Sequence, residues 1–226
     1  MFDGALMDYP WVIFRESIQE CIRANQLRIL VTGFEPFGGA SWNPSGKLAS
    51  SLDGQTIRGG TIVGRKLPVV WGEAPRLLEQ YIEEIRPHVA IALGMARDSI
   101  EIELSATNRR HPERRDNAGA LAVPPRPMAT KTLRTALPVD RIVRSSEEGS
   151  VRVSEDAGGY LCEEVFFALQ SVREKVLETQ RWPLVRSGFI HVPNDRHIAD
   201  EEAFERLEKR ILHLIDVTIA DLTTVV

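Results

Sequence analysis

The chain has 226 residues, with 28 Lys and Arg against 32 Asp and Glu, and a formal net charge of −4. This length suits one large α/β domain, and the composition excludes a disordered chain, a collagen-like repeat and a disulfide scaffold. The slightly acidic balance gives no electrostatic reason to bind nucleic acid or an anionic membrane surface. The two cysteines, Cys21 and Cys162, form no CxxC pair and have no histidine at metal-ligand spacing.

The first residues lack the features of a targeting signal. Asp3 and Asp8 stand where a signal peptide carries Lys or Arg, and the apolar run Tyr9–Phe14 is short. No stretch approaches the ~20 apolar residues that a membrane-spanning helix needs. We therefore expect a soluble, cytoplasmic protein.

Regular patterning begins at Leu27, after an extension over residues 1–26 that has only weak helical spacing from Ser17 to Ala24. Continuous apolar runs predict strands buried on both faces, and apolar residues at i, i+3 and i+4 predict helices. In chain order, the first half predicts a strand at Leu27–Phe34, a helix at Pro44–Leu52, one or two β segments in Thr56–Val69, a helix at Gly72–Arg86 and a strand at Val89–Leu93.

Ile100–Asn108 alternates apolar and polar residues, which predicts a strand with one apolar face and one polar face. The remaining patterns predict a helix at Lys131–Ala136, a strand at Val151–Val153, a helix at Tyr160–Val176, a strand at Leu184–Val192 and a helix at Asp200–Leu222. Strands that alternate with helices indicate an α/β fold. We expect a three-layer sandwich, with a mostly parallel, twisted mixed sheet flanked by helices, formed by residues 27–226 as a single domain.

Cys162 follows Ala157-Gly158-Gly159 and lies in the first turn of a predicted helix. The free N–H groups and the dipole at a helix N-terminus stabilise a thiolate, which is the form that a nucleophilic cysteine needs. The alternative is a small buried thiol that packs beside Phe166 and Leu169.

A histidine and a glutamate could complete a candidate catalytic set with Cys162. His191 ends a predicted strand, where it could take up the thiol proton and later protonate a leaving amine, or serve only as a hydrogen-bonded structural histidine. Glu101 and Glu103 share the polar face of the alternating strand, where one could orient the imidazole, or both could be solvated charges on an open face. Together these residues favour a cysteine hydrolase.

The loop after the first strand, GFEPFGG, lacks the spacing of a phosphate-binding loop. Its two phenylalanines, Phe34 and Phe37, suit an apolar slot for a flat, uncharged group, or could be ordinary core residues at a strand end.

Three motifs in order resemble the pyroglutamyl peptidase I family, the pyrrolidone carboxyl peptidases. They are TGFEPFGG at Thr32–Gly39 with Asn43-Pro44-Ser45, AGGYLC at Ala157–Cys162, and GFIHVP at Gly188–Pro193. The resemblance runs from about Leu27 to the C-terminus and leaves the first 26 residues uncovered.

The resemblance implies a cysteine exopeptidase that removes an N-terminal pyroglutamyl residue through a Glu–Cys–His triad and a thioester intermediate, without a metal or cofactor. Cys162 matches the nucleophile, His191 the general base, and Glu103 the acidic member, with Glu101 as its competitor. The substrate-binding positions matched by the motifs are Phe34, Phe37, Asn43 and Leu161. The implied partner is a peptide with a blocked N-terminus, and the implied assembly is a homo-oligomer, a dimer or a tetramer.

The chain departs from the family pattern after Gly94, where Met95–Ser99 replaces a Gln and a Gly-rich turn and is about two residues shorter. This change leaves two other hypotheses open. One is an amidase of the same mechanism for another small cyclic or N-blocked acyl group. The other is an inactive, family-shaped binding protein, against which the joint presence of Cys162, His191 and Glu103 argues.

Overall fold

The computed structural model describes residues 9–95, 98–122 and 131–224. Residues 1–8 and residues 96–97 of the shortened turn lie outside these ranges. The strands are β1 (Leu27–Phe34), β2 (Thr56–Ile57), β3 (Gly60–Leu67), β4 (Val89–Met95), β5 (Ile100–Glu103), β6 (Ser105–Thr107), β7 (Thr132–Arg134), β8 (Val151–Ser154) and β9 (Arg186–Val192). The helices are α1 (Tyr9–Arg23), α2 (Pro44–Leu52), α3 (Glu73–Ile85), α4 (Val139–Ser145), α5 (Leu161–Glu178) and α6 (Glu201–Thr224).

Seven strands form one mixed sheet in the order β2-β3-β1-β4-β9-β5-β8. The neighbours β3, β1, β4 and β9 are parallel, as expected for buried strands connected through helices. β5 runs antiparallel to β9, and β8 runs parallel to β5. The carboxyl ends of β4 and β9 therefore meet the start of β5 at one edge of the sheet.

Two hydrophobic clusters cover the two faces of this sheet. One contains buried side chains of α1, α2, α4 and α6, and the other contains those of α3 and α5. Helices on both faces of a mostly parallel sheet make the three-layer α/β sandwich that the sequence predicts, and the fold class is confirmed.

The N-terminal helix α1 contacts this same sandwich. Ile18 is fully buried in the first cluster, with Phe14 and Ile22 packed against it. The Gln19 side chain donates a 3.2 Å hydrogen bond to the carbonyl of Leu222 in α6. The division of the chain at residue 26 stays a prediction, but the helix that precedes it contributes to the core.

The helix predicted at Lys131–Ala136 is wrong, because this segment contains β7. Leu133 is buried between exposed Thr132 and Arg134, which is the alternation of a strand. β7 pairs antiparallel with β6, and Ala106 lies opposite Leu133. A six-residue segment shows less than two helical turns, so its few apolar residues did not separate helix from strand.

The single alternating strand predicted over Ile100–Asn108 is also corrected. It breaks at Leu104, so that β5 joins the large sheet while β6 joins β7 in a separate two-stranded sheet. Its polar face is not open to solvent, since Glu103 is fully buried and Glu101 is 9% exposed. The expectation of two solvated carboxylates on this face is therefore wrong.

None of the helices in the described ranges combines the length and the apolar character that crossing a membrane requires.

His88, just before β4, lies at the opposite edge of the sheet from the carboxyl ends of the parallel strands and is 2% exposed. Its Nδ1 accepts a 3.0 Å hydrogen bond from the backbone N–H of Arg28. Burial, reinforced by the Arg28 guanidinium, lowers the pKa of His88 from 6.5 to about 4.

This low pKa predicts a loss of stability in weak acid. The unfolded chain binds a proton at His88 near pH 6.5, whereas the folded chain does not until about pH 4. The free energy of unfolding should therefore fall by up to about 3 kcal/mol from this group as the pH drops through that window. His88→Asn keeps an acceptor for the Arg28 N–H but cannot titrate. Urea unfolding at pH 7 and pH 4.5 should show a smaller acid loss in His88→Asn than in the unmutated chain, and parallel losses would contradict this account.

Candidate active site

Cys162 occupies the second position of α5, directly above the sheet edge. The chain enters this helix through Gly158 and Gly159, whose φ angles of 91° and 64° favour glycine. Tyr160 then precedes the helix in an extended conformation, and no described side chain caps this helix start. The first N–H groups of α5 have no intrahelical acceptor, so they are free to bind an anion beside the thiol.

Gly94, near the end of β4, forms the floor under the thiol. A Cβ atom at this position would lie 2.6 Å from Cζ of Phe189 and 3.0 Å from Sγ of Cys162. Only glycine fits at this point of the strand. Gly94 precedes the shortened turn in the sequence, but its role under the thiol is not visible there, because a strand-end glycine carries no sign of what lies above it.

His191 near the end of β9 lies beside Cys162 and is 4% exposed. Its Nδ1 lies 2.6 Å from Oε1 of Glu103, which is fully buried. The imidazole and the Phe189 ring pack in a T-shaped arrangement, with 4.9 Å between ring centroids. The carboxylate and the phenyl ring together fix the orientation of the imidazole, with Nε2 left for the thiol.

The charges around His191 favour its protonated form. Burial alone would lower its pKa, but the Cys162 thiolate and the Glu103 carboxylate outweigh burial and raise the pKa well above the ordinary 6.5. The second carboxylate oxygen of Glu103 has no hydrogen-bond partner among the described residues. The arrangement therefore supports a thiolate–imidazolium pair backed by a buried carboxylate.

Glu103, and not Glu101, makes the hydrogen bond to His191. Glu101 lies directly opposite His191 in the antiparallel register, and Glu103 lies opposite Phe189. The bond thus runs diagonally across the two strands. The Glu101 carboxylate instead accepts a 3.2 Å hydrogen bond from Ser99.

A cavity of about 310 Å³ opens at the thiol. It is lined by all the residues that the sequence analysis assigned to a site: Phe34, Phe37, Asn43, Glu103, Leu161, Cys162 and His191. Phe34 and Leu161 are buried, and Phe37 is half-buried with its ring centroid 6.1 Å from that of Tyr160. One end of the cavity is therefore an apolar, aromatic slot.

Asn43 lines the cavity, but its side chain forms hydrogen bonds mainly with neighbouring residues of the chain. Its Oδ1 accepts hydrogen bonds from the N–H and the hydroxyl of Ser45, at 3.0 Å and 2.8 Å, and so caps α2. Its Nδ2 donates to the carbonyl of Glu35 at 3.0 Å. Asn43 holds the loop that carries Phe37, and one Nδ2 hydrogen is left for a ligand.

The basic loop that the sequence shows at Arg109–Arg115 is tied to the start of α5. The hydroxyl of Tyr160 donates to the carbonyl of Arg115 at 2.8 Å, and the N–H of His111 donates to the carbonyl of Gly159 at 2.6 Å. Arg110 forms an ion pair with buried Glu164. Tyr160 and Arg114 also line the cavity, and no pattern in the sequence points to either residue as a site residue.

The next two residues of α5 anchor neighbouring loops. Glu163 accepts hydrogen bonds from the N–H and the hydroxyl of Thr107, and Glu164 accepts one from the N–H of Gly72 at 3.1 Å. Burial raises the pKa of both carboxyls, although these hydrogen bonds oppose the shift. The first turn of α5 thus carries the thiol and also anchors the chain segments at Thr107 and Gly72.

The arrangement is suited to acyl transfer. A thiol, an imidazole and a carboxylate lie in the order of nucleophile, base and orienting group, next to free helix N–H groups. In the described ranges, no three His, Cys, Asp or Glu side chains gather in a way that could hold a metal ion.

Comparisons with known proteins give one family. The sequence model of pyroglutamyl peptidase matches residues 27–207. The pyrrolidone-carboxylate peptidase of Pyrococcus furiosus is 39% identical over 173 residues, which are 74% of this chain and 81% of that relative. The Bacillus cereus enzyme of the same name is 35% identical over 171 residues, which are 73% and 77% of the two chains.

A solved structure gives the same result for the fold. The crystal structure of pyrrolidone carboxyl peptidase from P. furiosus superposes with a TM-score of 0.75 at 34% identity. The match covers 87% of this chain and 100% of the other chain.

The contact between Gly94 and the thiol predicts the effect of a single methyl group. Gly94→Ala should force Phe189 or Cys162 to move, lower the free energy of unfolding by about 1–3 kcal/mol, and slow alkylation of Cys162 by iodoacetamide. The matched control is Gly188→Ala, whose Cβ would lie 2.5 Å from Leu137 on the opposite face of the sheet. It should destabilise the fold to a similar extent and leave the alkylation rate unchanged. Equal alkylation rates in both variants would refute the role given to Gly94.

Proposed function

Because this chain belongs to the pyroglutamyl peptidase family, we propose that it is a cysteine exopeptidase that cleaves the amide bond after an N-terminal pyroglutamyl residue of peptides. The observation that carries the proposal is the contact of buried Glu103 with His191 beside Cys162, at one end of an apolar cavity. We assign Cys162 as the nucleophile, His191 as the acid and base, and Glu103 as the orienting carboxylate.

In the first half of the reaction, the Cys162 thiolate attacks the carbonyl carbon of the pyroglutamyl residue. The oxygen of the tetrahedral intermediate accepts hydrogen bonds from N–H groups in the first turn of α5, which are already in place and unpaired within the helix. The His191 imidazolium gives its proton to the amide nitrogen as the C–N bond breaks. A thioester on Cys162 and a free amine result.

In the second half, neutral His191 takes a proton from water as the water oxygen attacks the thioester carbonyl. The C–S bond breaks, pyroglutamic acid leaves, and the thiolate–imidazolium pair is restored. Glu103 keeps its hydrogen bond to Nδ1 of His191 and stabilises the imidazolium at both steps, in the role that the aspartate has in other triads.

The cavity favours this acyl group on chemical grounds. A pyroglutamyl ring is flat and carries no charge, so it fits an apolar slot between Phe34, Phe37 and Leu161 better than a charged N-terminus would. The free Nδ2 hydrogen of Asn43 can donate to the lactam carbonyl.

The proposal includes a cytoplasmic location, which is supported by two cysteines without a disulfide. Assembly into a homo-oligomer, a dimer or a tetramer, stays a prediction from the resemblance.

The test compares two fluorogenic amides with five-membered acyl rings, pyroglutamyl and prolyl. We expect rapid release of the fluorophore from the pyroglutamyl amide alone, and loss of this activity in Cys162→Ser. Release from the prolyl amide or another small acyl amide, without release from the pyroglutamyl amide, would favour the amidase alternative. No release from any amide, with a Cys162 that resists alkylation, would favour the inactive binding protein.

A further inference from the structure

The cavity changes character along the sheet edge. Phe34 from β1 lies at one end, Met95 from β4 comes next, His191 from β9 follows, and Glu101 from β5 lies beyond His191. Cys162 lies over β4, because a Cβ atom on Gly94 would touch its sulfur. The thiol therefore separates an apolar end on the β1 side from an acidic end on the β5 side.

Glu101 differs from the other carboxylates of this cavity in its partner. Glu103 is bound to His191, and Asp156 forms an ion pair with Arg109. Among the described residues, Glu101 has only the neutral hydroxyl of Ser99 as a hydrogen-bond donor. Glu101 as a residue is about nine-tenths buried, and it lines the reaction cavity. A buried carboxylate in this state is strongly attracted to a cation.

In the part of the chain that the structure describes, the arginine opposite Glu101 and the arginine that lines the cavity are both directed elsewhere. Arg152 lies opposite Glu101 on β8, but its ion pair is with Asp98, at 3.7 Å, and its side chain is more than half exposed. Arg114 lines the cavity with its guanidinium 5.6 Å from the ring of Tyr160, which belongs to the aromatic end. The imidazolium of His191 also lies opposite Glu101, but the Glu103 carboxylate and the Cys162 thiolate already share it, so the acidic end keeps an excess of negative charge.

The direction of the reaction indicates which part of the substrate occupies the acidic end of the cavity. This inference rests on the proposed function. If the acyl ring fills the apolar end, the leaving amine lies on the far side of the thiol, next to the imidazolium that protonates it. The residue that follows the cleaved bond then extends past His191 toward Glu101. We infer that Glu101 forms an anionic subsite that selects substrates with a cationic side chain, Lys or Arg, directly after the pyroglutamyl residue.

The experiment measures kcat/KM at 0.15 M salt for three peptide amides that differ only in this residue: pyroglutamyl-Lys, pyroglutamyl-Gln and pyroglutamyl-Glu. The unmutated chain should cleave them in the order Lys, Gln, Glu. Glu101→Gln should reduce the Lys-to-Glu ratio by roughly three- to tenfold, the size expected for a partly solvated ion pair. Glu101→Asp, which keeps the charge, should retain most of the preference and shows that position 101 tolerates substitution.

The matched control is Glu113→Gln, which removes the same charge from an exposed residue of the Arg109–Arg115 loop that does not line the cavity. Its Lys-to-Glu ratio should equal that of the unmutated chain. Cleavage of all three peptides with equal kcat/KM, or an unchanged ratio in Glu101→Gln, would overturn the subsite and leave the proposed function standing. Cleavage of none of the three would overturn the proposed function, and the subsite with it.

Discussion

The contact between the buried carboxylate of Glu103 and the imidazole of His191 is the interaction on which the site depends. A carboxylate with no exposure to solvent is costly to bury, and a cation next to it offsets most of that cost. Together with the Cys162 thiolate, the same carboxylate keeps His191 protonated, and it fixes the tautomer and the direction of the imidazole. The sulfur of Cys162 is thereby accompanied by two charged groups that the fold has already removed from water.

The reversal of β5 makes this contact available. A parallel strand next to β9 would place its own carboxyl end at the sheet edge, whereas antiparallel β5 starts at that edge and brings Glu101 and Glu103 down beside the imidazole. Helix α5 supplies the third group from above, and Gly94 leaves room for the sulfur. The chain segments at Thr107 and Gly72 are fastened to the same helical turn through Glu163 and Glu164. Cys162 and these neighbouring segments thus share one rigid support.

Much of the fold could be predicted, because long buried strands and amphipathic helices have strong local patterns. Strand β1 and helix α2 were predicted with the bounds that the structure has. The segment at β7 was assigned to the wrong class, since its strand character comes from pairing with β6, a partner more than twenty residues away in the chain. The break at Leu104 is also a tertiary effect, because it separates two sheets that the alternation alone does not distinguish.

The site residues that lie in sequence motifs could be predicted. The choice that depends on how two strands are paired could not. Cys162 and His191 could be named from helix and strand ends, and Phe34 and Phe37 from their loop. The choice between Glu101 and Glu103 could not be made from the alternation, since both residues face the same way and the bond to His191 crosses the register diagonally. Asn43 shows the converse, because a polar loop residue beside the cavity has most of its hydrogen bonds within the chain.

The most direct test of the central claim is an NMR titration of the His191 ring nitrogens in the unmutated chain and in Glu103→Gln. Because the Cys162 thiolate and the Glu103 carboxylate raise the pKa of His191, its ring should stay protonated well above the ordinary 6.5. Removing the charge of Glu103 should move the titration to lower pH. A His191 ring that titrates near 6.5 in both proteins would contradict the account.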